Sequence, residues 1–376
     1  MVKVGIITYH CAYNYGAILQ AYALQTKLKL LGYKTEFINF RPSALVDGYK
    51  ESSISSGKRA MIYKMIKRKE LLHAQNIRKN RYAAFDDFTA NFLHLSTKSY
   101  STTVELEEDK LDYNVYICGS DQIWNSKFNG NENAYFLSFV KGNSLKIAYA
   151  PSFGAEKISK AECQKVKPLL SDYTALSARE EQGIKIIKEQ FHLEATHVLD
   201  PTLLLVPEQW MEMSPSNKSM FKQRYVFAYI IGDSDIELKK IYEFAKNENL
   251  ELIFVGIGSL LQPNLVPYID KSDVGPKSFM NLLMNADYVC TNSFHGMALS
   301  ILFNKKFTII FKESLLNSRM ESLLKMCKLE EQKYDCGCTL QRENFEEINF
   351  KYANTVIEQE RARSVGFLIE AMKLKT

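Results

Sequence analysis

Short apolar runs that end in polar clusters recur along this chain. Val2–Thr8, Thr35–Phe40, Tyr113–Cys118 and Leu145–Ala150 read as strands of one parallel sheet. A strand covered on both faces needs no alternation of polar and apolar positions. Ala17–Leu31 has helical apolar spacing and stops at Gly32. Tyr225–Ile231 and Glu251–Ile257 repeat the strand pattern further on, with helices expected over Asp235–Asn249 and Pro276–Asn285. The stretch Ala286–Lys312 holds a whole βαβ unit: strand Ala286–Thr291, a helix from Gly296 through Phe303, a break at Asn304-Lys305-Lys306, and strand Phe307–Phe311. Leu315–Cys327 and Tyr352–Leu374 read as helices.

The alternation predicts an α/β protein with two Rossmann-like domains. A chain of 376 residues exceeds what one compact core usually serves. The expected division is 1–207, 225–350 and a C-terminal helix over 351–376, with a polar linker at 208–224 that contains Pro215 and Asn217. From about 42 to 110 the pattern turns to Lys- and Arg-rich helices, Met61–Arg81 and Ala83–Phe92, and reads as an insertion in the first domain. Its charged face is first of all a solvated one.

Composition narrows the function classes. Net charge is +5, too mild to demand nucleic acid, and no zinc-finger, RNP or helix-turn-helix pattern is present. The balance suits an anionic small ligand, or loose contact with an anionic membrane face. The seven cysteines are scattered without a framework, which fits a reducing compartment. Cys327, Cys336 and Cys338 lack a second CxxC or a nearby histidine, so thiols are favoured over a metal site. No run reaches the roughly 18 apolar residues of a membrane span, and MVKVGIITYH is too short for a signal segment. The expectation is a cytoplasmic protein, with the inner membrane face as its one peripheral contact.

Candidate chemistry sits where strands end, since open α/β sheets bind ligands there. After the first strand come Asn14 and Gly16, at a helix start that attracts anions and lets a ligand approach the backbone. A tight strand-to-helix turn needs the same residues. Asp121 follows the strand Tyr113–Cys118, as a base or a hydroxyl ligand, and Trp124 offers a face for a sugar. Capping and core packing are the plainer roles for that pair. Arg179 is an anion-clamp candidate, with a surface ion pair as the alternative. Asn292 and Ser293 favour helix N-caps, and His295 follows in the first turn. There the positive end of the dipole lowers a histidine's pKa and keeps it able to accept a proton. Arg319 opens a later helix. No Walker loop, GxSxG elbow, GxGxxG fingerprint or Cys/His metal pattern is present. Arginines, an imidazole and a carboxylate suit a phosphorylated or carboxylated donor handled by acid–base chemistry, in a cleft between the domains.

Five motifs then carry a resemblance. Asn14-Tyr15-Gly16-Ala17-Ile18-Leu19-Gln20, Cys118-Gly119-Ser120-Asp121-Gln122-Ile123-Trp124-Asn125, Ser177-Ala178-Arg179-Glu180, Asp200-Pro201-Thr202 and Thr291-Asn292-Ser293-Phe294-His295-Gly296 look like the successive motifs of the polysaccharide pyruvyl transferase family. The resemblance runs from Val2 to about Leu329. It implies a GT-B-like pair of domains facing a central cleft. It also implies a transferase of polysaccharide biosynthesis, exopolysaccharide included. Pyruvate would move from phosphoenolpyruvate onto two hydroxyls of a sugar or lipid-linked saccharide, forming a ketal without cofactor or metal. Members often have Arg-Leu-His where this chain has Ser293-Phe294-His295. The implied roles are His295 and Asp121 in catalysis; Arg179, Arg319, Asn14, Gly16 and Ser293 toward the donor; and Trp124 and Gln122 toward the acceptor. A GT-B-type glycosyltransferase using a nucleotide sugar is the alternative, and a sugar-binding regulator the non-enzymatic one.

Overall fold

A computed structural model describes residues 2–50, 68–130, 132–213, 218–232, 235–258, 266–310, 318–334, 338–346 and 348–373. The first half is built on β1 (Lys3–Ile7), β2 (Lys34–Phe40), β3 (Leu95–Tyr100), β4 (Val115–Cys118) and β5 (Leu145–Ala148), in the order β3-β2-β1-β4-β5. Every recorded pairing in it is parallel. Strand order reverses between β1 and β4, where Ile7 faces Cys118, so the loops 8–14 and 119–125 leave the sheet side by side. Such a switch point opens a crevice at the carboxyl ends of the strands. A two-stranded ladder, β6 (Ser177–Ala178) with β7 (Thr196–His197), follows.

The second half repeats the plan with β8 (Tyr225–Ile231), β9 (Glu251–Ile257), β10 (Ile269–Asp270), β11 (Tyr288–Thr291), β12 (Lys306–Ile310) and β13 (Lys333–Tyr334). Their order is β10-β9-β8-β11-β12-β13, again parallel, with the reversal between β8 and β11. Asn292 closes that point: its side chain accepts from Ile231 N and donates to Ile231 O, both at 2.8 Å, as a further strand residue would.

The main helices are α1 (Tyr15–Leu30), α2 (Arg68–Phe92), α3 (Asp235–Asn247), α4 (Pro276–Asn285), α5 (Phe294–Leu302), α6 (Ser318–Cys327) and α7 (Phe350–Lys373). α1 is buried from Tyr15 through Gln25, and every residue of α5 is buried. Helices apolar on all sides belong between layers rather than at a surface. One buried cluster accordingly runs through both halves, from Val4 and Leu19 to Phe279, Val289 and Phe307. Tyr15 fastens the halves: its hydroxyl donates to Val274 O at 2.7 Å and its ring stacks on Phe279 at 4.3 Å. α7 returns to the first half, where Ser364 Oγ accepts from Leu199 N at 2.9 Å and Arg361 Nε donates to Leu203 O at 2.7 Å.

Two expectations change. The segment read as a helical insertion supplies β3, the edge strand beside β2, and α2 is the crossover that delivers it. Its Leu95–Tyr100 strand, LSTKSY, is mostly polar because an edge strand is half solvated, and this hid it. The expected linker holds a short helix, Pro207–Met213, with Trp210 and Met213 buried; Pro215 and Asn217 lie outside the described residues.

Candidate functional site

The two switch points face one cavity of about 460 Å³. Asn14, Asp121, Gln122 and Phe128 line it from the first half. Ser293, Phe294, His295 and Arg319 line it from the second. Asn14 and Ser293 occupy equivalent places, each the N-cap of a buried helix. Asn14 Oδ1 accepts from Ala17 N at 3.2 Å, and Ser293 Oγ accepts from Gly296 N at 3.5 Å. Both side chains are thereby spent on caps worth about 0.5–2 kcal/mol each.

Behind the cavity wall lies a buried charge cluster centred on Asp200. Its Oδ2 accepts from Arg179 Nη1 at 2.9 Å and from the Ser120 hydroxyl at 2.9 Å. Its Oδ1 accepts from Thr202 N at 2.9 Å and Thr202 Oγ1 at 2.7 Å. His295 Nε2 approaches Oδ2 to 3.6 Å, ion-pair rather than hydrogen-bond range. Burial alone would raise the Asp200 pKa. His295, Arg179 and the Thr202 hydroxyl outweigh it and hold the carboxyl well below its usual range.

Arg179 is as deeply placed. Glu180 at 3.6 Å and Asp121 at 3.9 Å join Asp200 around it, and its guanidinium lies 4.7 Å from the Phe294 ring. Burial pulls its pKa down, and the carboxylates of Asp200, Glu180 and Asp121 more than restore it. Glu180 is itself held by the Ser152 hydroxyl at 2.6 Å. Arg319, in the first turn of α6, faces the cavity. Burial lowers its pKa to about 10, and the charge of Arg179 pushes the same way. The carboxylates of Glu180, Asp121 and Asp200 offset part of this, and an anion arriving beside Arg319 would add to them.

Asp121 reaches the cavity with 14% of its side chain exposed, against 1% for Arg179. Its φ of 76° is unusual for a residue with a side chain. The strained turn is held by a bridge to Pro151 and by Oδ1 accepting from Gln122 N at 2.8 Å. Gly16 lies against the imidazole. A Cβ there would sit 2.0 Å from His295 Nδ1.

The family model for polysaccharide pyruvyl transferase matches residues 14–310, a span that takes in Asn14, Asp121, Arg179, Asp200 and His295. The chain belongs to that family. Among curated proteins no sequence matches. Solved structures resemble this pyruvyl transferase family member along nearly its whole length. The UDP-GlcNAc 2-epimerase from Methanocaldococcus jannaschii aligns at 10% identity over 95% of this chain and 92% of its own, with a TM-score of 0.50. The glycosyltransferase SnogD from Streptomyces nogalater aligns at 12% identity over 98% and 99%, with a TM-score of 0.42. The glycosyltransferase VinC, in complex with dTDP, aligns at 11% over 100% of both chains, with a TM-score of 0.43. The likeness to the epimerase is one of fold: two Rossmann-like α/β domains facing a central cleft, the GT-B-like layout.

Within this family member the expected site residues divide. His295, Asp121, Arg319, Asn14, Ser293 and Gln122 share the cavity. Arg179 does not line it; its charge is consumed by three carboxylates, so it is no free clamp for an anion. Gly16 admits the imidazole of the other half, not a ligand. Trp124, expected at the acceptor, is wholly buried; its indole donates to Tyr135 O at 3.1 Å and stacks on Phe136 at 5.4 Å. Of the aromatic rings that line the cavity, Phe128, four residues on, is the well-exposed one, at 45%. Asp200, quoted only as part of the Asp200-Pro201-Thr202 motif, and Phe128 had no expected role; the structure places Asp200 beside His295 and Phe128 on the cavity. Among the described residues no cluster of His, Cys, Asp or Glu is placed to hold a metal, and no helix is long and apolar enough to cross a membrane. Cys327 is a buried thiol and Cys338 an exposed one, while Cys336 lies outside the described residues.

Proposed function

We propose that this protein transfers pyruvate from phosphoenolpyruvate onto two hydroxyls of one sugar. The acceptor sugar belongs to a surface polysaccharide or its lipid-linked precursor, and the product is a ketal. The observation that carries this reading is the meeting of His295, Arg319 and Asp121 on one cavity at the two switch points.

Arg319 takes the donor's anionic end, since a charge-assisted hydrogen bond contributes about 1.5–3 kcal/mol where a helix terminus alone gives about 0.3–1. His295 gives a proton to the methylene carbon, and the enol phosphate becomes an oxocarbenium-like centre. A sugar hydroxyl attacks that carbon while Asp121 takes its proton. Phosphate then leaves, and the second hydroxyl closes the ring, giving its proton to the imidazole of His295, which the first transfer left neutral.

The test is phosphate release from phosphoenolpyruvate by the purified protein with an acceptor saccharide. His295→Gln should lower it about 10²- to 10⁴-fold, the usual span for a general acid. Near-normal release would remove the imidazole from the chemistry. A thermal-shift screen names the donor, because a ligand bound only by the native state raises its melting temperature. Selective stabilisation by a nucleotide sugar would replace this reading with glycosyl transfer.

A further inference from the structure

We propose that Asp200 is the positioning residue for His295: it holds the Nε2 proton and so leaves Nδ1 as the nitrogen that exchanges a proton with substrate. This rests on the pyruvyl-transfer reading for its role in turnover, but not for its geometry.

Three observations carry it. First, Nε2 is buried without a hydrogen-bond partner at full contact, and the nearest charged group is Asp200 Oδ2 at 3.6 Å. A buried imidazole N–H facing a carboxylate is driven to close that gap, because a buried donor left unmet is destabilising. Second, Asp200 cannot turn away. Ser120, Arg179 and both donors of Thr202 fix its two oxygens. Third, the Nδ1 edge lies over Gly16, the one residue type that leaves it uncovered, since a Cβ would stand 2.0 Å from that atom.

The pair also spans the molecule. Asp200 and Gly16 belong to the first half, and His295 opens α5 of the second. The imidazole is therefore oriented only while the halves are docked. Docking is secured by Tyr15 on Val274 and Phe279. Arg81 adds to it, donating to Gly256 O at 3.0 Å. Opening of the cleft would separate the ring from its carboxylate. Proton transfer is thereby tied to closure without any residue of the cavity having to move on its own half.

The experiment is ¹⁵N NMR of the full-length protein, with the His295 signals assigned by their loss in His295→Gln, paired with steady-state kinetics. At a pH where the ring is neutral, wild type should carry the proton on Nε2. Asp200→Asn should lose that preference, lower kcat about 100-fold and leave the donor KM within about threefold, while Asp200→Glu recovers part of kcat. A folded Asp200→Asn variant with the wild-type nitrogen spectrum, or with unchanged kcat, overturns the proposal. Should Asp200→Asn fail to fold because Arg179 loses its partner, Gly16→Ala decides. Its methyl group pushes the ring off Asp200 while Ser120, Arg179 and Thr202 stay bonded. Unaltered spectrum and kcat in that variant overturn the proposal equally. The spectrum is read without donor, so an intact wild-type signature with no turnover of phosphoenolpyruvate would count against the pyruvyl-transfer reading alone.

Discussion

The loop that follows β4 and the loop that follows β11 hold the same place in two similar sheets, yet they spend their polar groups differently. After β4, Ser120 bonds Ala150 and Asp200, Gln122 accepts from Asn125, and Trp124 closes on Tyr135. After β11, Asn292 and Ser293 secure strand and helix, and His295 is left facing the cavity. From the first half Asn14, Asp121, Gln122 and Phe128 reach the cavity, and Asp121 is the one carboxylate among them. The second presents the ionisable groups, His295 and Arg319. A switch point thus supplies a position, and the hydrogen bonds already made there decide whether a side chain has anything left to offer a ligand.

The comparison breaks most visibly at Trp124. Trp124→Ala should cost about 3–5 kcal/mol of stability, measured by urea unfolding, because a filled core site becomes a cavity. In the fraction that folds, acceptor KM should stay put. A raised acceptor KM at wild-type stability would return the indole to the sugar and make the first half a binding surface after all.

Much of this was open to reading along the chain. The switch-point loops show themselves because Val115–Cys118 and Tyr288–Thr291 are apolar throughout and the polar clusters start abruptly after them. Asn14 and Ser293 are visible as caps for the same reason. What stayed hidden depends on contacts between the halves. Gly16 could be read as a place of close approach, but nothing near it in sequence says that the approaching group is His295. Arg179 looked like a free cation because Asp200 and Asp121 are distant in sequence from it. Trp124 and Phe128 lie four residues apart in one loop, and only the packing of Phe136 and Phe153 selects which ring is buried.

A second contrast is in acid. His10, in the loop after β1, is fully buried, 3.2 Å from Thr8 O through Nδ1 and 3.3 Å from Asn39 Oδ1 through Nε2. Burial, only partly offset by those contacts, lowers its pKa from 6.5 to about 4. The unfolded chain then binds a proton that the folded chain refuses. Stability from this site is complete above pH 6.5 and is lost as pH falls toward 4, by about 3 kcal/mol at about 1.4 kcal/mol per unit. Asp200 has a separate window, since its depressed carboxyl loses stability only below the ordinary carboxylate range. Urea unfolding at pH 7 and pH 4 should show the loss, and His10→Gln should flatten it. An unchanged slope would mean that the scaffold of the first half is not what acid attacks.

The smallest effect tests the other side. Arg319 lies beyond residues 14–310, the span that the family model recognises, yet it shares the cavity with His295. If the second half contributes function rather than scaffold, Arg319→Met should act on binding alone. Losing a charge-assisted hydrogen bond of about 1.5–3 kcal/mol raises donor KM roughly 10- to 100-fold. With kcat unchanged, that is the signature of an interaction made equally in ground and transition states. Urea unfolding of Arg319→Met separates a binding role from a structural one, a Met side chain filling a similar volume without the charge. Arg319→Lys should fall between the two, keeping the charge but losing the planar fork. A variant with wild-type donor KM and reduced stability would assign Arg319 to the scaffold. The donor's anion would then need another cation, and the division between a structural first half and a reactive second half would no longer hold.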